Sequence, residues 1–172
     1  MIKATKLKPI DMFKKIFLMA VMAVTALSAA AALPSVSLKD INGKTVDTAT
    51  LSNDGKPFVI SFFALWCKPS NRELKAISEI YDEWQEETGM RLVAVSIDEA
   101  QNAQKVKPFV ESKGWEYEVL LDPNGEFKRQ MGVNDIPHVF VVDGEGNIVW
   151  NHQGYVDGGE EDILEAVKAA LK

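Results

Sequence analysis

The chain has 172 residues, 19 Lys and Arg against 25 Asp and Glu for a net charge of −6, and a single cysteine. That length supports one ordinary domain with a full core, and 47% apolar with 26% charged residues is a globular rather than a disordered composition. An acidic balance without a basic stripe speaks against nucleic acid or an anionic lipid surface as partner, and one cysteine excludes an internal disulfide.

Residues 1–15 carry five lysines and one aspartate, Ile16 to Leu27 is an uncharged apolar run, and Ser28-Ala29-Ala30-Ala31-Ala32 follows. A basic region, a short apolar region and small residues before a break describe a secretory signal peptide over residues 1–32, with cleavage expected near 30–32. Met12 offers a second start, because Met12-Phe13-Lys14-Lys15 already makes a compact basic region. An uncleaved membrane anchor is the alternative, although Ser28, Pro34, Ser35 and Ser37 dilute the apolar run. Residues 33–172 then form one exported domain, expected to be soluble, periplasmic and monomeric, with a charge of −10 once the leader's net +4 is removed. A lone thiol in an oxidising compartment needs either a task or a burial place.

Val36 to Asp47 reads as a β-hairpin around Asn42-Gly43, a preferred tight-turn dipeptide. Phe58-Val59-Ile60-Ser61-Phe62-Phe63 suits a strand buried on both faces. Just past the cysteine, Leu74, Ile77, Tyr81 and Trp84 fall on one helical stripe that ends at Gly89. Leu92 to Ile97 is a second buried strand, followed by a helix containing Pro108 and ending by Gly114. Glu118 to Leu121 reads as a strand, Asp122-Pro123-Asn124-Gly125 as a turn and Glu126 to Met131 as a short helix. His138 to Val142 and Ile148 to Gln153 flank a turn at Asp143-Gly144-Glu145-Gly146. Ile163, Leu164, Val167 and Leu171 mark a terminal amphipathic helix. Strands alternating with helices predict an α/β fold with a mixed central sheet flanked by helices.

Cys67 falls where a buried strand gives way to a helix. Free N–H groups and the positive end of the dipole at a helix start favour thiolate over thiol, and thiolate is the reactive form. Pro69 fits the first turn, where a missing N–H costs nothing. Next to Lys68, the cysteine is expected to be exposed, with Trp66 shielding one side of the sulfur. A buried structural cysteine is the alternative.

The segment Phe62-Phe63-Ala64-Leu65-Trp66-Cys67-Lys68-Pro69-Ser70 resembles the active-site segment of the thioredoxin superfamily, in particular the TlpA/ResA-like exported thiol-disulfide oxidoreductases. The resemblance spans residues 36–172. It implies a thioredoxin-like fold with an N-terminal β-hairpin and an inserted strand-helix unit between Cys67 and Pro137. It also implies that Cys67 is the nucleophile, that Glu73 serves as the proton-accepting acid, and that Ile136-Pro137 is a cis-proline loop facing the sulfur. Trp66, Lys68, Pro69, Ile136 and Pro137 would then contact substrate. An ordinary first-turn glutamate complementing the helix dipole is the other reading of Glu73, and an ordinary strand residue is the preferred reading of His138.

The chain departs from this pattern at Ser70, the place of the family's second, resolving cysteine. A monothiol Cys-x-x-Ser chain is expected to form mixed disulfides with thiol- or disulfide-containing exported proteins and to depend on an upstream thiol donor for release. Ser70 is either native or a trapping substitution; the rest of the segment being intact favours the second. Ser61 stands where thioredoxins proper bury an acid.

Other classes fit less well. One cysteine and two scattered histidines, His138 and His152, lack metal-ligand spacing, and no cofactor is implied. A peroxiredoxin would share much of the fold, but that family's threonine three residues before the cysteine is Ala64 here, and its earlier proline is Ile60. A redox-silent module holding exported polypeptides in the cis-proline groove is the alternative from another class.

Overall fold

A computed structural model of the chain describes residues 32–171. The expected signal peptide lies, but for Ala32, outside the described residues. Ala32 itself forms an isolated bridge with Asn147.

Seven strands form one sheet. In chain order they are β1 (Ser37–Asp40), β2 (Thr45–Asp47), β3 (Phe58–Phe63), β4 (Arg91–Ser96), β5 (Glu118–Leu121), β6 (His138–Val142) and β7 (Ile148–Gln153). Across the sheet the order is β2-β1-β5-β4-β3-β6-β7. The centre is parallel, β3 on β4 and β4 on β5. β1 pairs antiparallel with β5, and β6 antiparallel with β3, so the sheet is mixed as expected. The helices are α1 (Lys68–Thr88), α2 (Ala100–Ala103), α3 (Val106–Lys113), α4 (Glu126–Gln130) and α5 (Glu160–Ala169).

The unbroken apolar run of β3 follows from its central place, because every one of its six side chains is buried. Alternation divides them between two cores. Val59 and Phe63 pack on one face with Leu74, Ile77, Tyr81 and Trp84 of α1 and Ile163 and Val167 of α5. Phe58, Ile60 and Phe62 pack on the other with Leu33, Val36, Phe127 and Phe140. Full burial of one such side chain contributes about 1.5–3 kcal/mol, which is why this strand tolerates so little polarity. Ser61 is the exception, and it shares its face with Val59 and Phe63.

The hairpin, the insertion and both helix ends at Gly89 and Gly114 lie where the pattern predicts them. Gly89 and Gly114 take the left-handed conformation, φ 66° and 67°, which only glycine adopts without strain. Pro108 falls in the first turn of α3, where it removes no helical hydrogen bond. One expectation is corrected. Leu171 lies past the end of α5 and is 45% exposed, so it is not part of the buried stripe. Ile163 and Val167 are the residues of this helix that are buried.

Candidate active site

The site lies where β3 ends and α1 begins. Cys67 is the residue capping α1, with extended backbone (φ −88°, ψ 98°) and no side-chain capping bond. Lys68 and Pro69 fill the first two helical positions, both exposed. Three side chains then follow at three-residue steps along one side of the helix: Cys67, Ser70 and Glu73, at 7%, 0% and 2% exposure.

The expectation of an exposed cysteine is therefore corrected. Cys67 is buried because the loop that enters β6, far along the chain, covers it. Its Sγ donates to the Ile136 carbonyl at 3.5 Å, and the Ile136-Pro137 bond at the entrance to β6 is cis. Pro137 is buried, Ile136 half-buried, and the Pro137 carbonyl accepts from Gly154 N–H at 2.8 Å. Trp66, in contrast, is 68% exposed and forms part of the wall of an open cleft rather than a lid.

Ser70 does not bond the sulfur. Its hydroxyl donates to the Cys67 carbonyl at 2.9 Å, an ordinary back-bond within the first turn. Glu73 is not a first-turn glutamate complementing the dipole, since it lies a turn further in and faces the core. Its carboxyl group accepts from the Ser61 hydroxyl at 3.1 Å. Burial pushes its pKa up to about 8, which the Ser61 hydrogen bond partly opposes and the nearby Glu160 charge reinforces. At neutral pH Glu73 therefore holds a proton. Strand alternation turns Ser61 toward α1, and helical spacing turns Glu73 toward β3, so the two side chains meet between strand and helix.

Two residues that the sequence patterns do not single out hold the segment before the cysteine. The Asn71 side-chain amide donates to the carbonyls of Ala64 (3.1 Å), Leu65 (3.1 Å) and Cys67 (2.9 Å). From the other side, buried Asp98 accepts from Leu65 N–H at 2.9 Å and from the Ser96 hydroxyl at 2.9 Å. The Cys67 N–H donates to Ala64 O at 3.0 Å and closes the turn. The only sequence signal for this clamp is the residue type: an asparagine just inside a helix and an aspartate just past a buried strand are both natural binders of free backbone groups.

His138 is buried in β6, stacked on Phe140 with ring centroids 4.4 Å apart, and its Nε2 lies 3.2 Å from the Asn151 side-chain oxygen. It is a strand residue, as preferred. His152 is exposed beside Trp150. Among the described residues no three His, Cys, Asp or Glu side chains are grouped to hold a metal ion, and no helix is long and apolar enough to cross a membrane.

The profile of the AhpC/TSA family matches residues 29–151. The chain is 29% identical over 135 residues to the thiol-disulfide oxidoreductase ResA of Bacillus thuringiensis subsp. konkukian, covering 78% of this chain and 74% of that protein. Among solved structures, an uncharacterized thioredoxin-like protein from Porphyromonas gingivalis is 63% identical, with a TM-score of 0.73 over 81% of this chain and 91% of that one. A thiol:disulfide interchange protein DsbE from Chlorobium tepidum, described as putative in its own structure, shares the fold at 24% identity and a TM-score of 0.71, covering 83% and 97% of the two chains. By sequence and fold the chain belongs to the AhpC/TSA family, among its thioredoxin-like thiol-disulfide oxidoreductases.

Proposed function

We propose that this chain is an exported, monothiol thiol-disulfide oxidoreductase that captures exported polypeptides as mixed disulfides on Cys67. The observation that carries this reading is the hydrogen bond from Cys67 Sγ to the Ile136 carbonyl beside the cis bond. It sets the one thiol of the chain against a strand-entry backbone, and an extended polypeptide can pair with such a backbone.

The chemistry follows from that contact. Loss of the thiol proton leaves a thiolate that cannot donate, so the Ile136 carbonyl becomes free to accept from a substrate N–H. The thiolate attacks one sulfur of a substrate disulfide; a Cys67–substrate disulfide forms, and the other substrate sulfur leaves as thiolate, taking the electron pair of the broken bond. Glu73 and Ser61 hold a proton beneath the helix start at neutral pH. Ser70 offers a hydroxyl where a resolving thiol would have to stand, and a hydroxyl cannot displace the disulfide. Release therefore requires a thiol from an outside donor. The basic-apolar-small pattern of residues 1–32 supports export and removal of the leader, which leaves residues 33–172 as the working domain.

Incubation of the purified chain with bis(2-hydroxyethyl) disulfide, followed by intact-mass measurement, tests the reading. One added mercaptoethanol per chain, removed by dithiothreitol and absent from Cys67→Ser, is expected. No adduct would favour the redox-silent binding module instead.

A further inference from the structure

A second surface borders the nucleophile. It is an open cleft of about 1030 Å³ that runs from Trp66 across the start of α2 to the turn and helix at Pro123–Arg129. Neither Ile136 nor Pro137 lines it, so it is separate from the strand-entry edge that faces the sulfur.

Its chemistry is uneven. Its apolar lining is the Trp66 ring with Ile97, Ala100, Pro123 and Val133. Lys128 and Arg129 supply two cations, and Glu99 is the one acid of the wall. Among the described residues neither cation is in an ion pair. Arg129 spends one guanidinium nitrogen on the Asn124 carbonyl at 2.7 Å and keeps the rest of its donors. Glu99 is engaged by the Gln101 amide at 3.1 Å. Lys68, exposed beside Cys67, adds a third cation near the sulfur.

Small-molecule sites are enclosed, mostly apolar and about 300–1,000 Å³. An open trough, about as apolar as it is polar, with one large exposed aromatic at the nucleophile end fits an extended polypeptide better. On a chain of net charge −6, an acidic segment is repelled over most of the surface, so the place left for it is the local cationic wall. We infer that the cleft is a specificity surface for the substrate polypeptide: the chain flanking the reacting cysteine lies over Trp66 and carries Asp or Glu residues to Lys128 and Arg129. This rests on Cys67 acting as proposed above.

The test uses three peptides, each with one cysteine held as a mixed disulfide with mercaptoethanol, flanked on both sides by aspartates, serines or lysines. Rates of adduct formation on Cys67 are followed by mass and expressed relative to bis(2-hydroxyethyl) disulfide. The aspartate peptide is expected to react about tenfold faster than the lysine peptide at low salt, a gap that closes at about 0.5 M NaCl. In Lys128→Glu with Arg129→Gln the order should reverse. Lys128→Glu alone leaves the Arg129–Asn124 contact in place and should narrow the gap. Equal rates for the three peptides, or an order that these variants do not change, would overturn the inference while leaving the thiol chemistry standing. Failure of the small disulfide to react would overturn the thiol reading, and this inference with it.

Discussion

The Ser61 hydroxyl, on the most buried strand of the sheet, donates to the Glu73 carboxyl group of the active-site helix across 3.1 Å. The pair makes the fold pH-sensitive. Unfolded, a glutamate ionises near 4.5; folded, burial holds Glu73 protonated up to about 8. Between these values the folded state binds more protons, so its stability falls as pH rises. The contribution is complete below pH ~4.5, is lost through the window to pH ~8 and is flat above it. The total is on the order of a few kcal/mol, because each tenfold gain in proton affinity on folding is worth about 1.4 kcal/mol. In Glu73→Gln this component should vanish, and urea denaturation of both proteins at pH 5, 6.5 and 8.5 measures the difference. Parallel pH profiles would mean that Glu73 titrates normally.

Cys67→Ser should remove all thiol chemistry and leave the fold at least as stable. Cys67 caps α1 without a side-chain bond, whereas serine is among the preferred capping residues, by about 0.5–2 kcal/mol over residues that cannot cap. Thermal unfolding reads this directly. A marked loss of stability would show that the sulfur is a packing element first.

Ser70→Cys should convert a single capture into turnover. The serine lies one helical turn from Cys67, wholly buried, and its back-bond to the Cys67 carbonyl contributes only about 0.5–1.5 kcal/mol. A thiol there makes release intramolecular, and turnover with a dithiol reductant should rise by about 10²-fold or more. The covalent adduct should disappear from non-reducing gels. A variant no faster than its parent would point to a natural monothiol cycle.

Asn71→Leu should loosen the segment before the cysteine. It removes the donor shared by the Ala64, Leu65 and Cys67 carbonyls, at a cost of about 1–3 kcal/mol. Asn71→Asp should not rescue it, because a carboxylate turned toward three carbonyls accepts where a donor is needed. Chemical denaturation of both variants settles the point; an unchanged midpoint would show that the carbonyls find other partners.

The sequence carried most of this architecture, because each strand and helix buries a face with the period of its own geometry. Val59, Ser61 and Phe63 alternate with Phe58, Ile60 and Phe62, and the α1 stripe is unbroken. What it did not carry is tertiary. Nothing local distinguishes a cysteine at an open helix start from one roofed by a strand-entry loop almost seventy residues on, so Cys67 read as exposed. Glu73 could equally have turned to solvent until β3 was placed beside it. Asn71 and Asp98 bind main-chain atoms, which carry no sequence signature.

The sulfur and the carbonyl that covers it are 69 residues apart, and they meet only when β6 pairs with β3. Closing so long a loop is among the slower events in assembling a sheet. A chain emerging amino-terminus first carries its thiol well before it carries the strand that roofs it. During that interval Cys67 is a bare thiol at the end of a nascent helix, with no facing backbone to align a polypeptide. Selectivity thus arrives with β6: the docking step that seats it on β3 turns a reactive side chain into a site.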